Sequence, residues 1–407
     1  MPARGGPVRR QFLGILVSRG LGSALQALAL IVLARSVAPT EFGAVNVVIA
    51  VVGFALVGTG LGMSVYVPWA RASGRDDEVV AALRVNTGSN YLSAVVGVTV
   101  VSVWAHLGGL PWGVALIALS LALERNADTW LGVPIADGRS AVAVVSVLLR
   151  RVVCLVVMLP AIALGLDPVL AYTAGLVAGS LAGQLHVRLA VSDLCGTLHA
   201  VPASVVIRAA WPFLVSNATG QARTLDVGIV GLVLGSGGAG VYAAATKLVQ
   251  PLLLVPQSLA AVLVPHSTKV DGRSARKLGV RLGAGFAACL LLALPLGLGG
   301  EQIVVLLMGE QYAGAGAVFS WALVAVPFIA WASSLGAILQ GQSQERLVAG
   351  VGAVFALIMV GAIALGAMLA GPAGGAAGLA ASYLLRSVVL ALALLSPGRV
   401  PPERDGD

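Results

Sequence analysis

Apolar runs of about 20 residues, the length that crosses a bilayer as a helix, recur along this chain from end to end. No other feature limits the fold as strongly. Hydrocarbon offers the backbone no hydrogen bonds, so spanning segments are helices or closed barrels. Barrel strands are short and alternate apolar with polar side chains, and these runs do not alternate. With 58% hydrophobic and only 10% charged residues, the chain lacks the polar surface to enclose such segments in water. The expectation is an all-α polytopic membrane protein.

Reading the runs between charged or Gly/Pro breaks gives twelve spans: 12–35, 43–68, 85–106, 111–135, 141–165, 169–190, 207–234, 240–265, 279–300, 315–339, 347–370 and 376–396. The basic residues test this count independently. If the N-terminus is cytoplasmic, the inner segments hold Arg4, Arg9, Arg10, Arg71, Arg75, Arg84, Arg139, Arg188, the run from Lys269 to Arg281, Arg346, Arg399 and Arg404. The outer loops hold none, so the positive-inside rule supports an even number of spans with both termini cytoplasmic. The net charge of +8 is then a mark of topology in a cell membrane, and no nucleic-acid partner is implied. The start of the chain has the basic lead of a signal peptide. Its apolar core is longer than a signal core and is interrupted by Arg19, so it reads as a retained first membrane helix.

The weakly apolar stretch "DLCGTLHAVPAS" (193–204) divides the spans six and six. The expected organisation is an N-terminal bundle over 1–192, a cytoplasmic linker over 193–206, a C-terminal bundle over 207–396 and a cytoplasmic tail over 397–407. Two pseudo-symmetric six-helix bundles with a central cavity between them are the natural architecture for a transporter built from repeats. An internal echo accompanies the division. Gly43 and Pro68 bracket the second span at the same offset as Gly240 and Pro265 bracket the eighth, and "IADGR" (135–139) resembles "ILQGQ" (338–342).

Charges at membrane depth are costly and turn toward protein or a wet cavity. The seventh span carries Arg223 and Asp226 three residues apart. On one continuous helix, Ser216, Thr219, Arg223 and Asp226 share a face, while Asn217, Gln221, Thr224 and Gly228 share another. Two readings stand: a self-neutralising pair that pins the helix to a neighbour, or part of a substrate path. Arg19 in the first span has no local acid, which favours the second. Arg150 and Arg151 in the fifth span and Lys247 in the eighth complete the candidate substrate-binding set of Arg19, Arg223, Asp226, Lys247, Arg150 and Arg151. Arg35 and Arg208 lie near span ends and snorkel to the interface, and Arg386 is a further buried candidate. Counting Arg125, these nine basic residues face only Glu124, Asp128 and Asp226. That excess suits an anionic ligand, since guanidinium offers a fork of donors to phosphate oxygens. "ERNAD" (124–128) reads as a salt-bridged helix end or as part of a site. Pro251 and Pro256 break the eighth span, where bending would serve alternating access.

No catalytic constellation is visible. His106, His186, His199 and His266 lack metal-ligand spacing, no phosphate-cradling glycine loop occurs, and Cys154, Cys195 and Cys289 form no disulfide framework. No enzyme activity and no cofactor are expected.

Three stretches, in order, resemble the oligosaccharide flippases of the multidrug/oligosaccharidyl-lipid/polysaccharide exporter superfamily. "LARSVAPTEFG" has the family's Ala-Arg, here Ala34 and Arg35, followed by a Pro-x-x-Phe-Gly-like turn, here Pro39 to Gly43. "GVYAAATKLVQPLLLVPQSLAAVLVP" has the Gly-x-Tyr-x-x-Ala opening at Gly240, Tyr242 and Ala245 and the closing Pro265. "LLMGEQYAGAG" matches a Phe-Gly-x-x-Tyr stretch at Met308, Gly309 and Tyr312, with methionine in place of phenylalanine. The resemblance implies two rocking six-helix bundles that carry a polyprenyl-linked sugar between leaflets, with buried basic residues meeting the phosphate. It implies membrane lipid and a lipid-linked glycan as partners, with a polysaccharide polymerase or glycosyltransferases alongside. The alternatives are a cation-coupled drug exporter of the same superfamily, which wants acids deep in the N-terminal bundle, and a non-transporting scaffold whose charges are fully paired.

Overall fold

The computed structural model describes residues 5–192, 201–268 and 270–396. Most of the expected linker and all of the tail 397–407 lie outside these described residues. The elements are α1 (Gly5–Ser36), α2 (Pro39–Thr59), α3 (Met63–Ala72), α4 (Asp76–Gly108), α5 (Leu116–Ala136), α6 (Ser140–Ala163), α7 (Pro168–Ala190), α8 (Ala203–Gln221), α9 (Asp226–Val249), α10 (Leu254–Ser267), α11 (Gly272–Leu298), α12 (Gly300–Met308), α13 (Gly316–Gly341) and α14 (Glu345–Leu395). Among the described residues, eight stretches are long and apolar enough to cross a membrane. The longest, α14, would reach about 77 Å as a straight helix of 51 residues, against about 30 Å of hydrocarbon. It folds back at Ala370 and Gly371, where Gly371 has φ +63°. That turn falls between the eleventh and twelfth expected spans, and the break at Gly235 in α9 falls between the seventh and eighth.

The chain divides into two compact units, residues 1–228 and 229–407. The division lies downstream of the expected linker, because α8 packs on α2, α3 and α4. The turn between α2 and α3 explains this packing. Gly62, at φ +73°, lies so close to α8 that a Cβ there would stand 2.5 Å from the Leu214 nitrogen. The second expected span is therefore two helices, α2 and α3, with a left-handed turn through Leu61 and Gly62.

In the first unit α6 and α7 make the closest crossing. Gly175, Gly179 and Gly183 of α7 recur every fourth residue, and small residues at that spacing let membrane helices meet backbone to backbone. A Cβ on Gly175 would stand 2.7 Å from the Cys154 carbonyl oxygen, and one on Gly179 would stand 2.3 Å from that of Arg150.

One end of this unit is stapled by the arginines that the topology reading placed in inner segments. Arg71 donates to Asp76 at 2.6 Å and to Asp137 at 2.7 Å, and Arg139 reaches both Asp137 and the Ala190 carbonyl at 3.3 Å. Tyr66 donates to Glu78, and Arg75 lies over the Trp69 ring. The hydrogen bond from Arg71 holds the Asp137 carboxyl below the usual aspartate range, reinforced by the charges of Arg71 and Arg139. A carboxyl whose pKa is lowered on folding stabilises the fold above its unfolded value, about 3.9, and stops doing so as pH falls through the folded value. The melting temperature of wild type should therefore exceed that of Asp137→Asn at neutral pH by an amount equivalent to about 1 kcal/mol or less, with the gap closing below about pH 4. A gap that persists in acid would mean that the clamp is not ionic.

In the second unit α13 is the buried axis, packed by α10, α11 and α14. The two arms of α14 touch backbone to backbone: a Cβ on Gly366 would stand 2.1 Å from the Gly374 carbonyl, and one on Gly378 would stand 2.1 Å from that of Ala362. The stretch "MGEQYAGAG" is a loop clamped by α12, a short helix outside the expected spans. Its Glu301 accepts from the backbone of Gly314 at 2.5 Å and of Gly316 at 2.8 Å.

The internal echo has a structural counterpart. "IADGR" ends α5 and "ILQGQ" ends α13. In the first unit Gly132 of α5 abuts Pro68 of α3, the end of the second span; in the second unit Gly341 of α13 abuts Ser267 of α10, the end of the eighth. Asp137 accepts from Arg71, while Gln342 donates to the Ser267 and Val270 carbonyls at 2.6 and 3.0 Å. Each unit thus ties its fourth span to its second by a close glycine contact and a polar link, with the glycine before the repeated motif in the first unit and within it in the second.

Candidate functional site

Within the first unit, α2 to α5 and α8 line an open cavity of about 360 Å³. Its wall is built by polar residues at helical spacing. Asn86 and Asn90 lie one turn apart on α4, and Arg125, Asp128 and Thr129 lie on one side of α5, all at the cavity. Behind them a network joins the two helices. Asn86 donates to the Asn126 side-chain oxygen at 2.8 Å, Thr87 shares that acceptor at 3.1 Å, Thr129 donates to Asn86 at 3.3 Å, and Trp130 donates to Thr87 at 3.1 Å. Asn90 donates to both Asn86 oxygens, at 2.8 and 3.1 Å. The Asn90 carboxamide oxygen and the Asn126 amide nitrogen are buried in this network with no hydrogen-bond partner among the described residues.

The charges around the cavity come from α5 and α6. Glu124 accepts from Arg151 at 2.7 Å and lies 3.5 Å from Arg150; Asp128 accepts from Arg150 at 2.7 Å. "ERNAD" is therefore salt-bridged, but in the middle of α5 (Leu116–Ala136) rather than at a helix end. The glycines of α7 make room for this arrangement, since a Cβ at Gly183 would stand 2.5 Å from Arg150 Cγ. Arg125 differs from its neighbours. It donates to the Gly53 carbonyl at 2.7 Å and makes no ion pair among the described residues. Three guanidinium groups against two carboxylates leave one positive charge in excess, and Arg125 places it at the cavity.

The expected site residues divide into groups. Arg150 and Arg151 come together behind the cavity wall, bridged to Glu124 and Asp128, which line it. Arg223 and Asp226 lie elsewhere, because the seventh span is not one helix: α8 ends at Gln221, residues 222–225 form a 3₁₀ turn, and α9 begins at Asp226. Arg223 is half-buried on that turn, and Asp226 accepts from the Val227 backbone at 2.7 Å. No Arg223–Asp226 bridge forms among the described residues. Of the second face expected on this span, Asn217 and Gln221 line the cavity, while Gly228 packs on Ala50 and Val51. Lys247 belongs to the second unit and is half-buried. Arg19 lies on α1, with its side chain outside the described residues. Arg125, Asn86 and Asn90 are the residues that the sequence reading did not select; two asparagines four apart in an apolar helix were the available signal. The eighth span is likewise broken, at Gln250–Leu253, by Pro251.

A sequence-family profile described as "Polysaccharide biosynthesis protein" matches residues 8–270. No curated protein matches the sequence. Among solved structures, the inward-facing conformation of a multidrug resistance MATE family transporter of the MOP superfamily superposes with a TM-score of 0.70 at 16% identity, covering 91% of this chain and 93% of that one. The outward-facing conformation of such a transporter gives 0.64 at 16% identity over 96% of both chains. The Vibrio cholerae MATE transporter VcmN in its bent form gives 0.63 at 13% identity over 95% of both. At these identities the likeness establishes the fold.

Proposed function

We propose, from the premise that the chain belongs to the polysaccharide biosynthesis protein family, that it carries a polyprenyl-(pyro)phosphate-linked oligosaccharide across the cytoplasmic membrane by alternating access. The family supports a saccharide-related cargo, and the fold it shares is one solved both inward-facing and outward-facing. The observation that carries the reading is the composition of the cavity wall. Half-buried Asn217 and Gln221 offer carboxamides, each a donor and an acceptor in one plane, which suits the hydroxyls of a sugar, while Asn86 and Asn90 are buried in the network that ties α4 to α5. Arg125 brings a guanidinium whose charge no acid neutralises by contact, which suits a phosphate oxygen. At about 360 Å³ the cavity holds a head group's worth of ligand, near the lower bound of about 300 Å³ for small-molecule sites. The polyprenyl tail stays in lipid. Both termini face the cytoplasm on this reading, and polymerase or glycosyltransferase partners receive or supply the cargo.

A second reading, the cation-coupled exporter, draws on one specific observation: Glu124 and Asp128 stand in the N-terminal unit beside the cavity. Both carboxylates are engaged by arginine, which favours the flippase.

Mass spectrometry of lipid extracts from cells depleted of the protein tests the choice. Depletion should accumulate a polyprenyl-linked saccharide that wild type clears. Losing one charge-assisted hydrogen bond costs about 1.5–3 kcal/mol, so Arg125→Gln should clear it roughly ten- to a hundredfold more slowly. Unchanged lipids together with intracellular build-up of cationic dyes would select the exporter.

A further inference from the structure

The geometry around Arg150 points to an internal anion that occupies the place of the ligand's phosphate. We infer that Asp128 is a displaceable counter-ion: it neutralises Arg150 while the cavity is empty and yields that guanidinium to a phosphate oxygen when cargo enters. The inference rests on the function proposed above and names how the same site recognises its anion.

Three observations carry it. The partners are unequally exposed, Arg150 at 4% and Asp128 at 52%. The guanidinium is fixed, since Gly179 and Gly183 pack against its residue, Ser146 accepts from its Nε at 3.4 Å, and Glu124 lies 3.5 Å from its Nη1. The carboxylate stands at the cavity wall, with Arg150 directly behind it. Asp128 holds Arg150 by a single 2.7 Å bond to Nη2, while Nη1 is buried against Glu124 at 3.5 Å; a phosphate oxygen that replaces the carboxylate oxygen on Nη2 makes the same kind of charge-assisted bond.

The exchange is electrostatically balanced. Asp128 makes the shorter of the two ion pairs of Arg150, with Glu124 farther off at 3.5 Å, and taking an anion from a buried arginine is unfavourable, so Asp128 leaves as another anion arrives. Its departure puts a carboxylate against the incoming phosphate, and that repulsion weakens binding and speeds release. Asp128 thereby trades affinity for turnover.

The test uses purified full-length protein in detergent with farnesyl phosphate as the probe, read by isothermal titration. Asp128→Asn should bind the probe at least about tenfold more tightly than wild type and clear lipid-linked saccharide more slowly in cells. Adding Arg150→Gln to Asp128→Asn should abolish the gain. Should Asp128→Asn not fold, Asp128→Ser supplies the same neutral vacancy. Equal affinity in wild type and Asp128→Asn, with binding still lost in Arg125→Gln, would overturn the displacement while leaving the anionic-lipid function standing. Absence of probe binding in every variant would overturn both.

Discussion

Leucine at position 179 should leave no folded protein in the membrane. The Cβ alone would stand 2.3 Å from the Arg150 carbonyl oxygen and 3.2 Å from its carbon. Those atoms are helix backbone, so no rotamer change relieves the clash. α6 and α7 must then separate along their whole contact, which loosens the fit at Gly175 and Gly183 and draws Arg150 away from Glu124 and Asp128. Overpacking alone costs about 1–3 kcal/mol, and disrupting a buried ion cluster adds about 3–5 kcal/mol, a sum comparable with the whole stability of a domain. Fluorescence-detected size exclusion of tagged variants measures the outcome: Gly179→Leu should give no monodisperse peak and Gly179→Ala a reduced one. Gly88→Ala is the internal control, because no atom lies within 4 Å of a Cβ there. A wild-type peak from Gly179→Leu would refute the crossing.

Glu124→Ala should be the most destabilising charge removal in the first unit. Glu124 is the acceptor for Arg151 at 2.7 Å and the second anion of Arg150 at 3.5 Å. Removing it strands the Arg151 guanidinium, whose side chain is 17% exposed, and leaves Arg150, 4% exposed, with Asp128 alone. Breaking a buried pair from one side costs about 3–5 kcal/mol, so the purified variant should melt well below wild type. Adding Arg151→Gln should recover part of the loss, because the second change removes the stranded charge. A wild-type melting curve for Glu124→Ala would mean that water, rather than the carboxylate, solvates these arginines.

The spans were legible because an apolar run of bilayer length has only one solution. Even the turns inside α9 and α14 fell where the run lengths demanded, at Gly235 and Gly371. The break between α2 and α3 was hidden, since "VGTGLGM" keeps its apolar character while Leu61 takes φ +50°. The seventh span misled for a related reason. A 3₁₀ turn advances about 120° per residue and an α-helix about 100°, so the four residues 222–225 re-phase the helical wheel by about 80°. Asn217 and Gln221 precede that turn and kept their shared face. For the site, Arg150 and Arg151 stood out as charges in an apolar run. Their acids are 22 to 27 residues away along the chain, and only the packing of α5 on α6 identifies them. Arg125 was visible as a charge, but that it bonds the Gly53 carbonyl rather than an acid, unlike Arg150 and Arg151, is a property of the fold.

The most direct test of the central claim is the leaflet distribution of a lipid-linked oligosaccharide in proteoliposomes, read by oxidation of its sugar with a membrane-impermeant reagent. Vesicles with wild-type protein should expose nearly all of the sugar to the reagent over time, Arg125→Gln vesicles should do so roughly ten- to a hundredfold more slowly, and empty vesicles should plateau at the outer-leaflet fraction. If wild type plateaus with the empty vesicles yet moves a cationic dye, the cavity serves another cargo and the flippase account is wrong.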